Sequence, residues 1–225
     1  MPGLPHCGRP STARRPAHPH HSSTSVLHPT GAVNAHPAGR RQPGPPVPDA
    51  SRVQPGSTET ADLAAEQSDP RFTPADRRTY REKGNYPADI VAGHRRLEQA
   101  TDLVLVFPVY WWSMPALLKG WIDRVFVNGW AFEHSPASGL QPKLHNLTTH
   151  ILPITGDDCS AYQRHGYESA LRTQIEHGIT DYCGSRHSST AFIYESEQPT
   201  PTATVRGVDH AVRTISQATH GRLTP

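Results

Sequence analysis

The sequence predicts an α/β protein built on a doubly wound parallel sheet. Residues 103–107 form a wholly apolar run that stops at a proline, as expected for a strand buried on both faces. Short apolar runs then alternate with segments of helical periodicity as far as residue 219, and this alternation is typical of strand–helix–strand units. At 225 residues the chain is long enough for one such domain with a sizeable core.

The elements follow from local signals along the chain. The apolar runs predict strands over residues 58–63 (a poor remnant), 103–107, 149–154 and 190–194. The periodic segments predict helices over residues 74–82, 90–100, 116–126, 161–177 and 207–219. For the helix at 116–126, Ser113 is the predicted cap and Pro115 the predicted start. No internal repeat is visible.

The N-terminal residues have a different character from the rest of the chain. Residues 1–56 hold 12 of the 23 prolines and a single acidic residue, and no aromatic residue precedes Phe72. Such a stretch cannot bury enough apolar surface to offset its ordering entropy. We therefore predict a disordered segment over residues 1–57 and a domain over residues 58–221. The histidines at 18–21 lack acidic or thiol partners, so no metal site is predicted.

Codon bias offers a further hypothesis for the segment 1–57. The chain has nineteen arginines and three lysines, as expected of a GC-rich gene, and an out-of-frame translation of such a gene is rich in Pro, Arg, His, Ala and Gly. We therefore hypothesise that this segment is a wrong-frame or misassigned start that replaces the first strand and helix. The nucleotide sequence tests this directly, because another frame must encode an apolar strand followed by an amphipathic helix.

Charge and composition narrow the classes of partner. The net charge of +2 gives no strong field for nucleic acid, and no run approaches the roughly 20 apolar residues of a membrane span. Cys7, Cys159 and Cys183 lack zinc-like spacing and are expected to be free thiols of a reducing compartment. These observations predict a cytoplasmic protein without membrane insertion.

The most informative block is residues 103–132, which contains all four tryptophans: Trp111, Trp112, Trp121 and Trp130. Ligands of open α/β sheets bind where the carboxyl ends of strands open into loops, and a planar ring system suits a wall of indoles. The alternative is that Trp111 and Trp112 belong to the core. Because adjacent side chains of a strand point to opposite faces, at least one of them is expected in a loop.

Four segments carry a resemblance to a known family. They are FPVYWWSMPALLKGWIDRVF at 107–126, GWAF at 129–132, ITG at 154–156 and the run at 162–184. Over roughly residues 58–195 the chain resembles the flavin-dependent NAD(P)H:quinone oxidoreductases of flavodoxin-like fold. The resemblance implies bound FAD (FMN is possible), NAD(P)H as co-substrate, hydride transfer to a quinone-like acceptor, and a homodimer. It also implies that the first strand and the phosphate-loop helix are missing or replaced by the disordered N-terminus.

The resemblance also implies site residues. The turn after the apolar strand contacts the flavin in this family, which assigns cofactor binding to Pro108, Val109, Tyr110, Trp111 and Trp112. A second contact turn assigns it to Thr155, Gly156 and Asp157, although Asp157 stands where many members have a second glycine. The alternative for this turn is an ordinary strand-to-helix connection capped by Asp158 or Ser160.

Tyr162 is the predicted catalytic residue, as a hydrogen-bond donor to flavin or substrate. In animal members the equivalent tyrosine works with a histidine six residues later, where this chain has Glu168. Trp121, Trp130 and Phe132 are expected either at the dimer interface or in the domain core. Two alternatives to an active reductase stay open: an inactive fragment of the family that lacks the phosphate loop, and a non-catalytic ancillary subunit of an ion-efflux system.

Overall fold

The structure is a computed structural model that describes residues 24–28, 31–35, 59–197 and 202–220. Its strands are β1 (Thr24–His28), β2 (Gly31–Ala35), β3 (Glu59–Ala61), β4 (Asp102–Pro108), β5 (Phe132–Ser135), β6 (Gly139–Pro142), β7 (Thr148–Ile154) and β8 (Arg186–Thr190). Its helices are α1 (Pro74–Arg81), α2 (Ala88–Glu98), α3 (Ala116–Val125), α4 (Cys159–His165), α5 (Tyr167–Arg172) and α6 (Thr202–His220), with a π-helical segment, Thr173–Asp181, directly after α5. Most of the predicted disordered segment 1–57 lies outside these described residues.

Six strands form the main sheet, in the order β2-β3-β1-β4-β7-β8. Strands β4, β7 and β8 are parallel, as predicted, with Leu103 opposite Thr149 and a register shift between Thr149 and His150. On the other side of β4, β1 pairs antiparallel through Ser25 and Val106. Strands β5 and β6 form a separate hairpin that the sequence patterns did not predict.

Strand β4 divides the core into two layers. All seven of its residues are buried, and alternate side chains point to opposite faces of the sheet. Leu105 joins the larger cluster, which includes residues of α2 and α3. Val106 joins the smaller cluster, which includes Ala211 and Ile215 of α6. Helices therefore cover both faces, which confirms the doubly wound architecture.

Two predicted elements were wrong in their bounds. The helix predicted over 161–177 is broken at Gly166, whose φ of 70° is left-handed and ends α4. The last strand lies at Arg186–Thr190 rather than 190–194. Its polar sequence gives no apolar signal, yet pairing with β7 makes it a strand, because tertiary context overrides local propensity.

One smaller expectation also fails. Helix α3 has Pro115 at its N-cap with no side-chain hydrogen bond, so Ser113 is not the cap. Cys183 is a buried free thiol, as expected. In the described part of the chain no helix is long and apolar enough to cross a membrane.

Candidate functional site

The two segments predicted to contact a cofactor lie side by side. Because β4 and β7 are parallel neighbours, their carboxyl ends meet at one edge of the sheet, with Pro108 opposite Ile154. The backbone N–H of Val109 donates to the carbonyl oxygen of Ile154 at 2.8 Å. The turn after β4 and the turn after β7 therefore form one continuous rim, at the edge where parallel sheets bind ligands.

The turn after β4 is a tight hairpin made of bulky residues. Tyr110 and Ser113 exchange two backbone hydrogen bonds of 3.0 Å around Trp111 and Trp112. Both tryptophans have left-handed backbone conformations, with φ of 47° and 57°. Such turns favour Asn and Gly, and an L residue with a large side chain is strained there by about 1–3 kcal/mol. Backbone strain of this kind is concentrated at functional sites.

The two indoles differ in their surroundings. Trp111 is 87% exposed and meets Trp112 edge-on, with the ring centroids 5.6 Å apart. Trp112 is 37% exposed and stacks on Tyr167 at 4.4 Å. A large apolar ring that is mostly solvent-exposed does not serve the core. The structure thus places both tryptophans in a loop.

The turn after β7 is ordered by a network of backbone bonds. Thr155 is buried, receives a hydrogen bond on its carbonyl oxygen from Ser196 N–H at 2.9 Å, and donates its hydroxyl to the carbonyl oxygen of Asp157 at 2.8 Å. Gly156 and Asp157 are exposed. A Cβ at Gly156 would lie 3.0–3.2 Å from the carboxyl group of Glu197, so this glycine keeps open a narrow space shared with that side chain.

Asp158 closes the same turn by capping α4. Its carboxylate accepts from the backbone N–H of Ala161 at 2.7 Å and from the hydroxyl of Ser160 at 2.7 Å. These two bonds lower the pKa of Asp158. The turn therefore has the helix cap expected of an ordinary strand-to-helix connection, and it presents the backbone at Gly156 as well.

Tyr162 lies beneath this rim and is only 3% exposed. Its ring contacts Tyr167, Phe192 and Tyr194 edge-on, at centroid distances of 5.8, 5.9 and 5.6 Å. Burial, together with the nearby negative charge of Asp157, raises the pKa of Tyr162 well above its usual range, and the Thr155 side chain offsets part of that rise. The phenol therefore keeps its proton at neutral pH.

Glu168 occupies the position six residues after Tyr162 and belongs to a charged cluster. Its carboxylate accepts from the hydroxyl of Tyr194 at 3.1 Å and from Arg172, whose guanidinium also donates to Glu176. Burial, followed by the charge of Glu168, raises the pKa of Tyr194 well above its usual range. Glu168 thus contacts Tyr194, and no hydrogen bond joins it to Tyr162 within the described residues.

The rim has backbone donors of the kind that the edge of a flavin ring would need. The backbone N–H groups of Trp111, Trp112 and Gly156 make no hydrogen bond to another described residue. Free, preorganised N–H donors stabilise a ring that gains negative charge on reduction. The carboxyl groups of Asp157 and Glu197 are the unfavourable charges nearby. No group of three or more potential metal ligands occurs in the described part of the chain.

Three contacts of the rim were not predicted from the sequence. Tyr167 stacks on Trp112, Gln174 accepts from the hydroxyl of Ser113 at 2.5 Å, and Glu197 fills the space beside Gly156. The pattern of apolar residues in the π-helical segment, which carries Gln174, does not distinguish this segment from a regular α-helix. Only the aromatic character of Tyr167, close behind Tyr162, signalled a ring in this position.

The residues expected at an interface or in the core make contacts within the domain. Trp130 stacks on His94 at 4.0 Å and donates its indole N–H to Glu98 at 2.8 Å. Phe132 is 4% exposed, and Trp121 packs half-buried against Phe126. These contacts account for the three side chains as domain packing.

Comparisons with known proteins agree with this architecture. Residues 32–217 match a protein family described by its flavodoxin-like fold. NAD(P)H dehydrogenase (quinone) 1 of Rattus norvegicus is 32% identical over 127 residues, which cover 55% of this chain and 46% of the rat protein. An uncharacterized NAD(P)H oxidoreductase of Escherichia coli is 28% identical over 133 residues, which cover 59% of this chain and 64% of that protein.

A solved structure gives the same fold. The NAD(P)H:quinone oxidoreductase of Methanothermobacter marburgensis superposes with a TM-score of 0.65 at 18% identity, covering 72% of this chain and 80% of that protein. The chain spans about half the length of the rat relative, so the match concerns a part of that protein. With the family match over most of the chain, the chain belongs to the family described by its flavodoxin-like fold.

Proposed function

We propose that this chain is an NAD(P)H-dependent flavin oxidoreductase that reduces a quinone-like acceptor. The observation that carries the proposal is the rim formed by the turns after β4 and β7, where exposed indoles lie beside backbone N–H groups that bond to no other residue the structure describes. The relatives named NAD(P)H dehydrogenase (quinone) support the same activity. The domain that carries it is proposed to span residues 58–221.

A bound flavin, FAD in this proposal with FMN as the alternative, supplies the chemistry that takes a hydride from NAD(P)H and passes two electrons to the acceptor. The turn Pro108, Val109, Tyr110, Trp111 and Trp112 and the turn Thr155, Gly156 and Asp157 would hold the ring. The rigid Pro108 and the cross-turn hydrogen bonds between Tyr110 and Ser113 fix the backbone of this turn before any ligand arrives.

The indoles would receive the planar co-substrate and acceptor in turn. Trp111 offers an exposed apolar face, and Trp112 forms the adjoining wall. Tyr162 is proposed as a hydrogen-bond donor to the flavin or the substrate, since its phenol carries a proton at neutral pH. The aromatic residues around it exclude water from this floor.

The proposed partners and compartment follow the same family. We propose a cytoplasmic homodimer, as the resemblance to this family implies. Sedimentation equilibrium tests the dimer, and a monomer at micromolar concentration contradicts it.

Flavin content and turnover of the full chain test the function. We expect near-stoichiometric FAD or FMN by absorbance after heat release, and flavin-dependent oxidation of NADH or NADPH with menadione as acceptor. Trp111→Ala should raise the KM for menadione, whereas Phe72→Ala, which removes an aromatic ring 48% exposed elsewhere on the surface, should not. A chain that neither contains flavin nor binds added FAD or FMN contradicts the proposal and supports the inactive fragment.

A further inference from the structure

The strained turn after β4 needs support from outside itself. Its two cross-turn hydrogen bonds are backbone bonds that any residue pair at 111 and 112 could make. The turn that they close has positive φ at both central positions, 47° and 57° here, but these bonds do not select tryptophan for those positions. Contacts of the turn's side chains with other elements can offset the strain of two bulky residues in this conformation.

Tyr167 provides such a contact. Its ring stacks on the indole of Trp112 with centroids 4.4 Å apart and an interplanar angle of 28°. His165 also stacks on Tyr167, at 5.2 Å and 25°, and Tyr162 meets it edge-on at 5.8 Å. Tyr167 is thus the ring through which the buried Tyr162 and the exposed tryptophan turn are joined.

The element that carries Tyr167 is well anchored. Tyr167 is the first residue of α5, and the π-helical segment directly after it holds Gln174, which accepts a hydrogen bond from Ser113 at 2.5 Å. Arg172 bonds to Glu168 on one side and Glu176 on the other. The same helical run therefore holds the turn at Trp112 and at Ser113, and π-helical segments of this kind occur frequently at functional sites.

We propose that Tyr167 is a positioning residue that fixes the orientation of Trp112, and through it that of Trp111, so that the aromatic wall accepts planar ring acceptors. The ring of Tyr167 acts through stacking, and its hydroxyl is not required. Without the ring, the Trp112 side chain loses its preferred orientation and the turn relaxes from its left-handed conformation. The consequence for acceptor binding rests on the proposed function, whereas the consequence for indole geometry does not.

Circular dichroism of the full chain tests the geometry without any cofactor. The Trp111–Trp112 pair, 5.6 Å apart with an interplanar angle of 71°, is close enough for exciton coupling, and Trp111→Phe identifies its couplet by removing it. Tyr167→Leu should abolish most of the same couplet, and Tyr167→Phe should retain it. Tyr182→Leu removes a tyrosine that contacts Phe132 instead, and should leave the couplet unchanged.

Kinetics with menadione test the consequence for the acceptor. Tyr167→Leu should raise the KM for menadione about threefold to tenfold with little change in kcat, as expected for the loss of one aromatic pair. Tyr167→Phe should restore the wild-type KM. Should the Leu variant not fold, Tyr167→Met, with a flexible side chain that fills irregular space, takes its place.

The outcomes separate the two proposals. A couplet that persists in Tyr167→Leu overturns the positioning role, as does a raised KM with an unchanged couplet, because Tyr167 would then act by direct contact with the acceptor. Loss of the couplet in Tyr167→Phe also overturns it, since the hydroxyl would be the essential group. A chain without reductase activity that shows the predicted couplet changes contradicts the proposed function and leaves the positioning role supported.

Discussion

Arg124→Ala is predicted to destabilise the fold strongly, because it leaves a buried carboxylate without its cation. The guanidinium is 8% exposed and lies 3.1 Å from the carboxylate of Asp76, which is 1% exposed. Arg124 also pairs with Asp89 at 2.7 Å and donates to the backbone carbonyl of Asp69 at 2.9 Å. It therefore fastens the chain before α1 and the start of α2 to the helix that follows the aromatic turn.

The magnitude follows from what remains bonded to Asp76. Breaking a buried ion pair costs about 3–5 kcal/mol when one charge stays behind. Here Asp76 keeps hydrogen bonds from the N–H and hydroxyl of Thr73, at 2.7 and 2.6 Å, so the lower end of that range applies. A loss of about 3 kcal/mol in the free energy of unfolding corresponds to a fall in Tm of roughly 6–12 °C for a domain of this size.

Urea unfolding and thermal melting of the full chain measure this loss. The matched control is Arg71→Ala, which removes a pair with Asp69 in which the arginine side chain is 83% exposed, and no measurable change is expected. Adding Asp76→Asn to Arg124→Ala should recover part of the stability, since no buried charge then remains. The reasoning is refuted if Arg124→Ala melts within error of Arg71→Ala.

Three further predictions concern single side chains. Gly156→Ala should lower flavin content while the fold persists, because its Cβ would enter the space 3.0–3.2 Å from the Glu197 carboxyl group. The control Gly178→Ala should change neither the flavin content nor the fold, because its Cβ would meet its nearest atom at an ordinary 3.4 Å. Equal flavin content in the two variants contradicts the role of Gly156. Burial outweighs the bond to the Val125 carbonyl and lowers the pKa of His94, so the unfolded chain binds more protons there, and stability should fall as pH drops below the unfolded value of 6.5. The slope of the free energy of unfolding between about pH 7 and about pH 5 should be smaller in His94→Phe, and an unchanged slope would exclude His94 as its source. Burial raises the pKa of the Cys183 thiol to about 12, so this thiol should resist maleimide at pH 7–8 in the native chain and react once it is unfolded; rapid native labelling at Cys183 would show that the site opens.

The sequence by itself determined the sheet core and the position of the candidate site. An apolar run that is buried on both faces has few alternatives to a central parallel strand, so β4 was predicted within one residue of its observed ends. The place where Pro108 stops this strand followed from the same run. The aromatic block after it predicted a loop for at least one of Trp111 and Trp112, because neighbouring side chains of a strand cannot share a face.

Tertiary structure decided the elements whose local signals were weak or misleading. β8 is a polar segment that becomes a strand only through pairing with β7, and Gly166 breaks a helix that apolar periodicity had carried across it. Ser113 has the side chain of a helix cap, but its hydroxyl reaches Gln174, 61 residues later in the chain. Local signals could not choose between these partners, because the choice depends on where distant helices pack.

The left-handed turn at Trp111 and Trp112 shows the same division most clearly. The residues alone disfavour this backbone conformation, and it persists because Tyr167 and Gln174 hold the turn from another element. The strand pattern therefore predicted where the rim lies, and the family resemblance supplied the residues expected in its two turns. Packing across the sheet edge determined their orientation, since contacts between distant segments supply the energy that offsets local strain.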